Sequence, residues 1–292
     1  MYKAIADNKR NTILIMALFV GVIGAIGWVV SLYYGNSNIT YYVIAIAVIY
    51  ALIQYYFATA ISVAMTGARQ IEKKDNPRLY RVVENLAITT GLPMPKVYII
   101  DDSAPNAFAT GRNPSHAIVA ATTGLLDIMS DDELEAIMAH EMGHVRNYDI
   151  RIGMIAFGLA SAIGLLSDIV LRMFIFGDRD SDSNSSPFAI IAGVIVIILA
   201  PIIAAIIQMA ISRQREYLAD ATSAMTTRNP ESLATALEKL IRQGKPMKRQ
   251  NSASAHLFIT NPLKAGFISK LFSTHPPLEE RIARLRTNAN KF

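Results

Sequence analysis

Between Ser130 and Arg151 the chain reads SDDELEAIMAHEMGHVRNYDIR, and at its centre stand His140, Glu141 and His144 in the spacing HExxH. On a helix, residues four apart share a face, so both imidazoles can reach one metal ion at about 2.0–2.1 Å. Glu141 is turned by about 100° from His140. Its carboxylate then points beside the metal, where an attacking water would stand. That is the chemistry of a zinc hydrolase with Glu141 as general base. The competing reading is an ordinary exposed helix on which two histidines and a glutamate happen to fall. Two of only five histidines in the chain stand in this motif, which weighs against chance.

The flanks supply the helix that the spacing needs. Ser130 followed by Glu133 forms a capping box, with Asp131 and Asp132 in the first turn. Leu134, Ile137, Met138 and Val145 recur at helical spacing and make an apolar face. A zinc site on HExxH also needs a third protein ligand and an open position. The downstream stretch Glu216-Tyr217-Leu218-Ala219-Asp220 puts Glu216 and Asp220 on one helix face. Glu216 could bind the metal while Asp220 orients an imidazole, or the pair could be a plain charged cluster.

The composition points to a membrane. Hydrophobic residues make up 52% of the 292 and charged residues 17%, against about 25% in ordinary soluble proteins. Four stretches reach the roughly 20 apolar residues that cross a bilayer: Ile13–Tyr34, Tyr41–Met65, Ile152–Phe176 and Phe188–Ile211. Only the third carries charge, Asp168 and Arg172 at i and i+4. Lys3, Lys9, Arg10, Arg69, Lys73, Lys74, Arg213 and Arg215 flank the inner ends, whereas 35–40 has no charge and 177–187 is rich in Asp and Ser. This bias places both termini and both large polar regions in the cytoplasm. The expected division is a membrane hairpin over 1–65, the first half of a catalytic domain over 66–151, a second hairpin over 152–211, and the second half over 212–292. There is no cysteine, so no disulfide or thiolate metal site. The net charge of +5 is read as cationic membrane flanks and not as a nucleic-acid surface.

Elsewhere, Asn76-Pro77 opens a helix that ends at Gly91, and Asn229-Pro230 opens one through Leu233, Leu237, Leu240 and Ile241 that stops near Gly244. Another begins around Pro276-Pro277. Short strands are expected at Lys96–Ile100, Asn106–Thr110 and His116–Ala121, the last two joined by Gly111-Arg112-Asn113-Pro114 as a turn. The fold class is α+β and predominantly helical: four transmembrane helices plus a cytoplasmic zincin-like domain with a small β-sheet. His144 lies 8 residues before Ile152, so a continuous helix would hold it about 12 Å from the membrane boundary; Glu216, 5 residues past Ile211, would stand about 7 Å out. An antiparallel pair of spans would bring them to similar depth.

HEMGH, EYLAD, the stretch Asn106-Ala107-Phe108-Ala109-Thr110-Gly111 and His275-Pro276-Pro277 together resemble the HtpX membrane metalloproteases, relatives of the CAAX prenyl proteases in the zincin superfamily. The resemblance implies one zinc ion per subunit held by His140, His144 and Glu216, with Glu141 as catalytic base and Asp220 behind the ligands. It further implies an edge strand at Asn106, Ala107 and Phe108 that pairs with an extended peptide; the plainer reading is ordinary sheet. His275 and Arg281 are expected near the cleft, where a cationic donor would stabilise the oxyanion. His116 and His256 are read as structural. The expected substrates are polypeptides, membrane proteins among them, and the expected setting is quality control in a bacterial cytoplasmic membrane with the active site inside.

Three other readings compete. An intramembrane protease would bury HExxH in lipid, which the surrounding Asp131, Asp132, Glu133, Glu135, Arg146, Asp149 and Arg151 oppose. A four-span transporter with an incidental metal site would need polar residues within its spans, and three of the four have no charge. An inactive scaffold has no need of Glu141.

Overall fold

A computed structural model describes residues 2–156, 158–159, 162, 213–249, 257–262 and 276–291. The chain divides into two compact units, one of residues 1–9, 56–154 and 211–292, the other of 10–55 and 155–210.

Two long helices come first, α1 (Tyr2–Tyr34) and α2 (Asn38–Thr66). Ile5–Trp28 and Asn38–Thr66 are each long and apolar enough to cross a membrane, and only 28% and 22% of their most apolar windows are buried. Ile13, Tyr41, Ile46 and Phe57 are among the residues left exposed, an outward apolar face that a soluble core helix would cover. The third and fourth expected spans lie, beyond residue 162, outside the described residues. In the second unit α1 and α2 meet where Gly27 has no side chain: a Cβ there would stand 2.7 Å from that of Val43. Thr40 Oγ1 donates to Ser31 Oγ at 2.9 Å beside this contact.

The first unit is built on a four-stranded sheet in the order β1-β2-β4-β3: β1 (Arg69–Gln70), β2 (Lys96–Ile100), β3 (Ala107–Gly111) and β4 (Ala117–Thr122). β2 runs parallel to β4, while β1 and β3 run antiparallel to their neighbours, so β3 is an edge. Alternation along the strands separates two apolar faces. Val97, Ile99, Ala107, Ala109, Val119 and Ala121 face the helices, and Ile100, Phe108, Ile118 and Ala120 pack with Met247 and Phe258 on the other side. Gly111 carries a φ of 150°, and a Cβ on it would stand 2.6 Å from His116 O, so the β3–β4 turn closes tightly here.

Helices α3 (Pro77–Thr90), α4 (Thr123–Ile128), α5 (Asp131–Arg146), α6 (Arg213–Thr227), α7 (Pro230–Gln243) and α8 (Leu278–Thr287) complete the described part of this unit. Asn76 caps α3 through its side chain on Leu79 N at 2.9 Å, and Gly91 ends it at φ 67°. Asn229 caps α7 in the same way. On α7, Leu233, Leu237 and Leu240 are buried as their spacing requires, while Ile241 stays exposed. At α5 both halves of the capping box are made, and Glu133 also takes Lys239 Nζ at 2.6 Å.

The helix bearing HExxH is shorter than a continuous run to Ile152 would be. It ends at Arg146; Asn147 and Tyr148 form a turn, Tyr148 adopts φ 62°, and helix resumes at residue 149. The simple count of rise from His144 to the membrane therefore fails. Lys9 and Arg151 both lie over the Tyr148 ring, 4.6 and 5.0 Å from its centroid, and help to hold this break.

α5 and α6 approach unusually closely. A Cβ on Gly143 would meet Ala219 Cα and Thr222 Cβ at 3.3 Å, and Ser223 Oγ donates to Ala136 O at 2.7 Å. A branched side chain at 143 would press on both neighbours. Gly143→Val should destabilise the protein by about 1–3 kcal/mol and reduce bound metal, read by thermal unfolding and elemental analysis of detergent-solubilised protein. Unchanged values for both would contradict this contact.

Candidate metal centre

The close contact of α5 with α6 brings three ligating groups together. His140 and His144 lie on one face of α5, their rings 4.7 Å apart and at 88°, with the Nε2 atoms 3.2 Å from each other. From α6, Glu216 Oε2 is 3.7 Å from His140 Nε2 and Oε1 is 3.5 Å from His144 Nε2. One atom from each of the three lies within 4.8 Å of the others. His140 is wholly buried and Glu216 is 8% exposed.

Each imidazole is held from behind by a carboxylate. Asp220 Oδ1 is 3.0 Å from His140 Nδ1, and Asp149 Oδ2 is 3.0 Å from His144 Nδ1. With both Nδ1 atoms so engaged, both Nε2 atoms are turned toward each other. Two nitrogen lone pairs facing at this distance repel unless a cation or a proton lies between them. The donor set, two imidazoles and a carboxylate with each imidazole oriented by a second carboxylate, fits a metal ion.

The same geometry governs protonation in the metal-free protein. Burial, and then the Arg281 cation, push His140 down to about 4. Burial also opposes charge on His144, but Glu216 and Asp149 outweigh it and raise the group to about 9. Glu141, 3% exposed, is raised by burial to about 7 while Ala109 N–H hydrogen-bonds its carboxylate. Asp220 is held well below the usual carboxylate range: burial opposes this, and Arg281 and His140 overcome it.

Arg281, on α8, has no exposed surface. Its Nη2 and Nε donate to Asp220 at 2.6 and 2.9 Å, and Nη2 stands 3.3 Å from both ring nitrogens of His140. Its Nη1 is 3.6 Å from Glu216 Oε2. This residue, expected near the substrate, is placed behind the ligands. His275 lies outside the described residues, as does His256. His116 bonds Asn113 and Arg112 at the β3–β4 turn.

The expected peptide-binding strand is β3, and part of its outer edge is taken by the chain itself. Ile259 N donates to Ala107 O at 3.0 Å, and Phe108 and Phe258 form an antiparallel bridge. Asn106 donates to Thr260 O at 2.9 Å and accepts from Thr260 N at 3.2 Å. Phe108 is fully buried, edge-on to Phe258 at 5.2 Å, and presents no surface to a peptide in this structure. By strand alternation the backbone groups of Ala109 and Gly111 point to the same outer edge as those of Ala107.

Asp149 is the site residue that local sequence reasoning did not single out. Asn8 Nδ2 donates to Asp149 Oδ1 at 2.6 Å and to Asn147 O at 2.8 Å, while Arg215 Nη1 donates to Asn8 Oδ1 at 3.3 Å. The available signal was an aspartate five residues beyond the second histidine, and it acquires meaning only through the break at Tyr148.

Comparison with known proteins agrees with this geometry. Residues 73–289 match peptidase family M48. A protein named Protease HtpX homolog from Tropheryma whipplei (strain Twist) is 55% identical over 292 residues, covering 100% of both chains. One of the same name from Streptococcus gordonii is 45% identical over 295 aligned positions, covering 98% of this chain and 99% of its own. Among solved structures, the crystal structure of S. mikatae Ste24p matches with a TM-score of 0.52 and 21% identity, covering 93% of this chain. This chain spans 62% of that one's length, and the likeness is one of fold.

The buried Asp220–Arg281 pair permits a test that separates stability from metal binding. Arg281→Met leaves buried carboxylates without their cation and should cost about 3–5 kcal/mol. The double variant Asp220→Leu/Arg281→Met should regain much of that in chemical denaturation, yet bind metal more weakly than wild type, because His140 Nδ1 has lost its acceptor. Wild-type metal affinity in the double variant would contradict the role given to Asp220.

Proposed function

The chain belongs to peptidase family M48, a metalloprotease family, and we propose that it is a zinc-dependent endopeptidase embedded in the bacterial cytoplasmic membrane by four spans, cleaving polypeptides on the cytoplasmic side. The observation that carries this reading is the convergence of His140, His144 and Glu216 with Glu141 beside them. His140, His144 and Glu216 are the proposed zinc ligands. When bound, the ion supplies a Lewis acid that polarises the scissile carbonyl and makes water acidic enough to attack at neutral pH.

The remaining chemistry belongs to side chains and backbone. Glu141 takes the proton of the attacking water and returns it to the leaving amine. Its carboxyl is buried beside the proposed ligands, where it can reach both the water and the leaving group. Asp220 and Arg281 fix His140, and Asp149 fixes His144. The peptide is proposed to add as a strand to the outer edge of β3 at the Ala109 carbonyl and at Gly111, bringing its carbonyl beside Glu141. Residues 258–260, already seated at Asn106 and Ala107, support the capacity of this edge to take an antiparallel strand. His275 is assigned to the developing oxyanion on the family likeness alone. Membrane-protein substrates fit an active unit joined directly to membrane helices.

The topology has support from within the catalytic unit. Asn8 precedes the first span and bonds Asp149, next to the metal centre, and α8 near the other end of the chain supplies Arg281. Two segments near opposite ends of the chain thus meet at the site, which supports the reading with an even number of crossings. Reporters fused after residue 66 and at the C-terminus should report cytoplasm, and one within 177–187 the outside; an outward C-terminus would overturn the arrangement.

Glu141→Gln tests the mechanism. Hydrolysis of an unfolded protein substrate should fall about 10²–10⁴-fold with bound zinc near one per chain, and a chelator should abolish the wild-type reaction. Turnover near the wild-type rate in the purified variant would remove Glu141 from its role.

A further inference from the structure

Two residues outside the motifs, Asp149 and Asn8, reach the metal centre. We propose that Asp149 is a positioning residue for His144 and that Asn8, before the first membrane helix, is part of the same device. The proposal rests on His144 being a metal ligand and deepens that reading.

Asp149 reaches His144 only because the helix breaks. Five residues of continuous helix would rotate it by about 500°, some 140° off the face of His144. The turn at Asn147 and Tyr148, with Tyr148 at φ 62°, brings the carboxylate back, and Oδ2 comes within 3.0 Å of Nδ1. That bond fixes the ring tautomer and presents Nε2 to the metal. His140 is served in the same manner by Asp220 from another helix. The two ligands are thus held by separate supports.

A carboxylate with two oxygens needs its second oxygen held if its first is to stay aimed. Asn8 does this. Its amide nitrogen donates to Asp149 Oδ1 at 2.6 Å and to the carbonyl of Asn147 at 2.8 Å, so one group clamps the carboxylate and the turn that delivers it. Arg215 orients the amide from its oxygen side at 3.3 Å and lies 3.8 Å from Asp149 Oδ1. Arg215 immediately precedes Glu216 in sequence. Asn8 is 5% exposed and Asp149 8%, so water does not replace these bonds freely. A buried asparagine is unfavourable unless its polar atoms are bonded, and the bonds to Asp149 and Arg215 join Asn8 to neighbours of two ligands.

The test measures metal affinity in the full chain, purified in detergent and stripped of metal. Zinc dissociation constants are obtained by competition with a chromogenic chelator, and the visible spectrum of the cobalt-substituted protein reports ligand geometry. Asp149→Ala should weaken zinc binding about 10–100-fold and shift the cobalt bands, with Asp149→Asn falling between it and wild type. Asn8→Ala, which removes one amide far from any ligand in sequence, should weaken zinc binding in the same direction by a smaller factor. The cobalt bands should shift for Asn8→Ala as well, a change in ligand geometry that a loss of general stability alone would not produce. Wild-type affinity and cobalt spectrum in both Asn8→Ala and Asp149→Ala would overturn the proposal while leaving the metal site intact. Equal affinity in wild type and His144→Ala would overturn the ligand assignment beneath it.

Discussion

Everything at the site depends on how near the backbone of α6 can come to that of α5. Gly143 lies between the two ligating turns of α5, and the space its side chain would fill is taken by Ala219 and Thr222. Ala219 in turn separates Glu216 from Asp220 along α6. The small pair at the crossing thus places one carboxylate on the metal face and the other behind His140. Ser223, bonded to Ala136 O, fixes the register of the two helices a turn away.

Such closeness buries charge, and the structure answers with paired partners. Asp220 meets Arg281, Asp149 meets Asn8 and Arg215, and Glu141 takes a backbone N–H from β3. Arg281 comes from α8 and Asn8 from the start of α1, so the two ends of the chain close on one centre. Buried ion pairs of this type add little stability compared with well-packed apolar groups, although breaking one is severe. Their value here lies in fixed orientation.

Local signals disclosed much of this fold. The caps at Asn76, Ser130 and Asn229 stand where short-range chemistry places them, and β2 spans the residues its pattern marks. β3 and β4 each begin and end one residue later than their apolar runs suggest. The histidine face was legible from helical periodicity, which also aligned the ExxxD pair without deciding between a ligand and a charged cluster. Other features depend on contacts distant in sequence. β1 is two residues long and exists through its pairing with Ile99 and Tyr98. A tyrosine at positive φ has no local signature, since non-glycine residues adopt that conformation rarely. The link from Asn8 to Asp149 crosses 141 positions. The family resemblance suggested Arg281 near the cleft, and its enclosure beside Asp220 depends on the packing of α8.

The central claim is that Glu216, carried to the histidines by the α5–α6 crossing, completes the metal centre. It is tested most directly by zinc content and proteolysis in Glu216→Ala beside Glu231→Ala. Glu231 lies on α7 in an exposed pair with Arg286 and serves as the control. Exposed pairs of that kind contribute about 0–1 kcal/mol. The account predicts that Glu216→Ala loses zinc and activity together while Glu231→Ala keeps both. Full zinc occupancy with normal turnover in Glu216→Ala would contradict it and leave the third ligand to be found elsewhere.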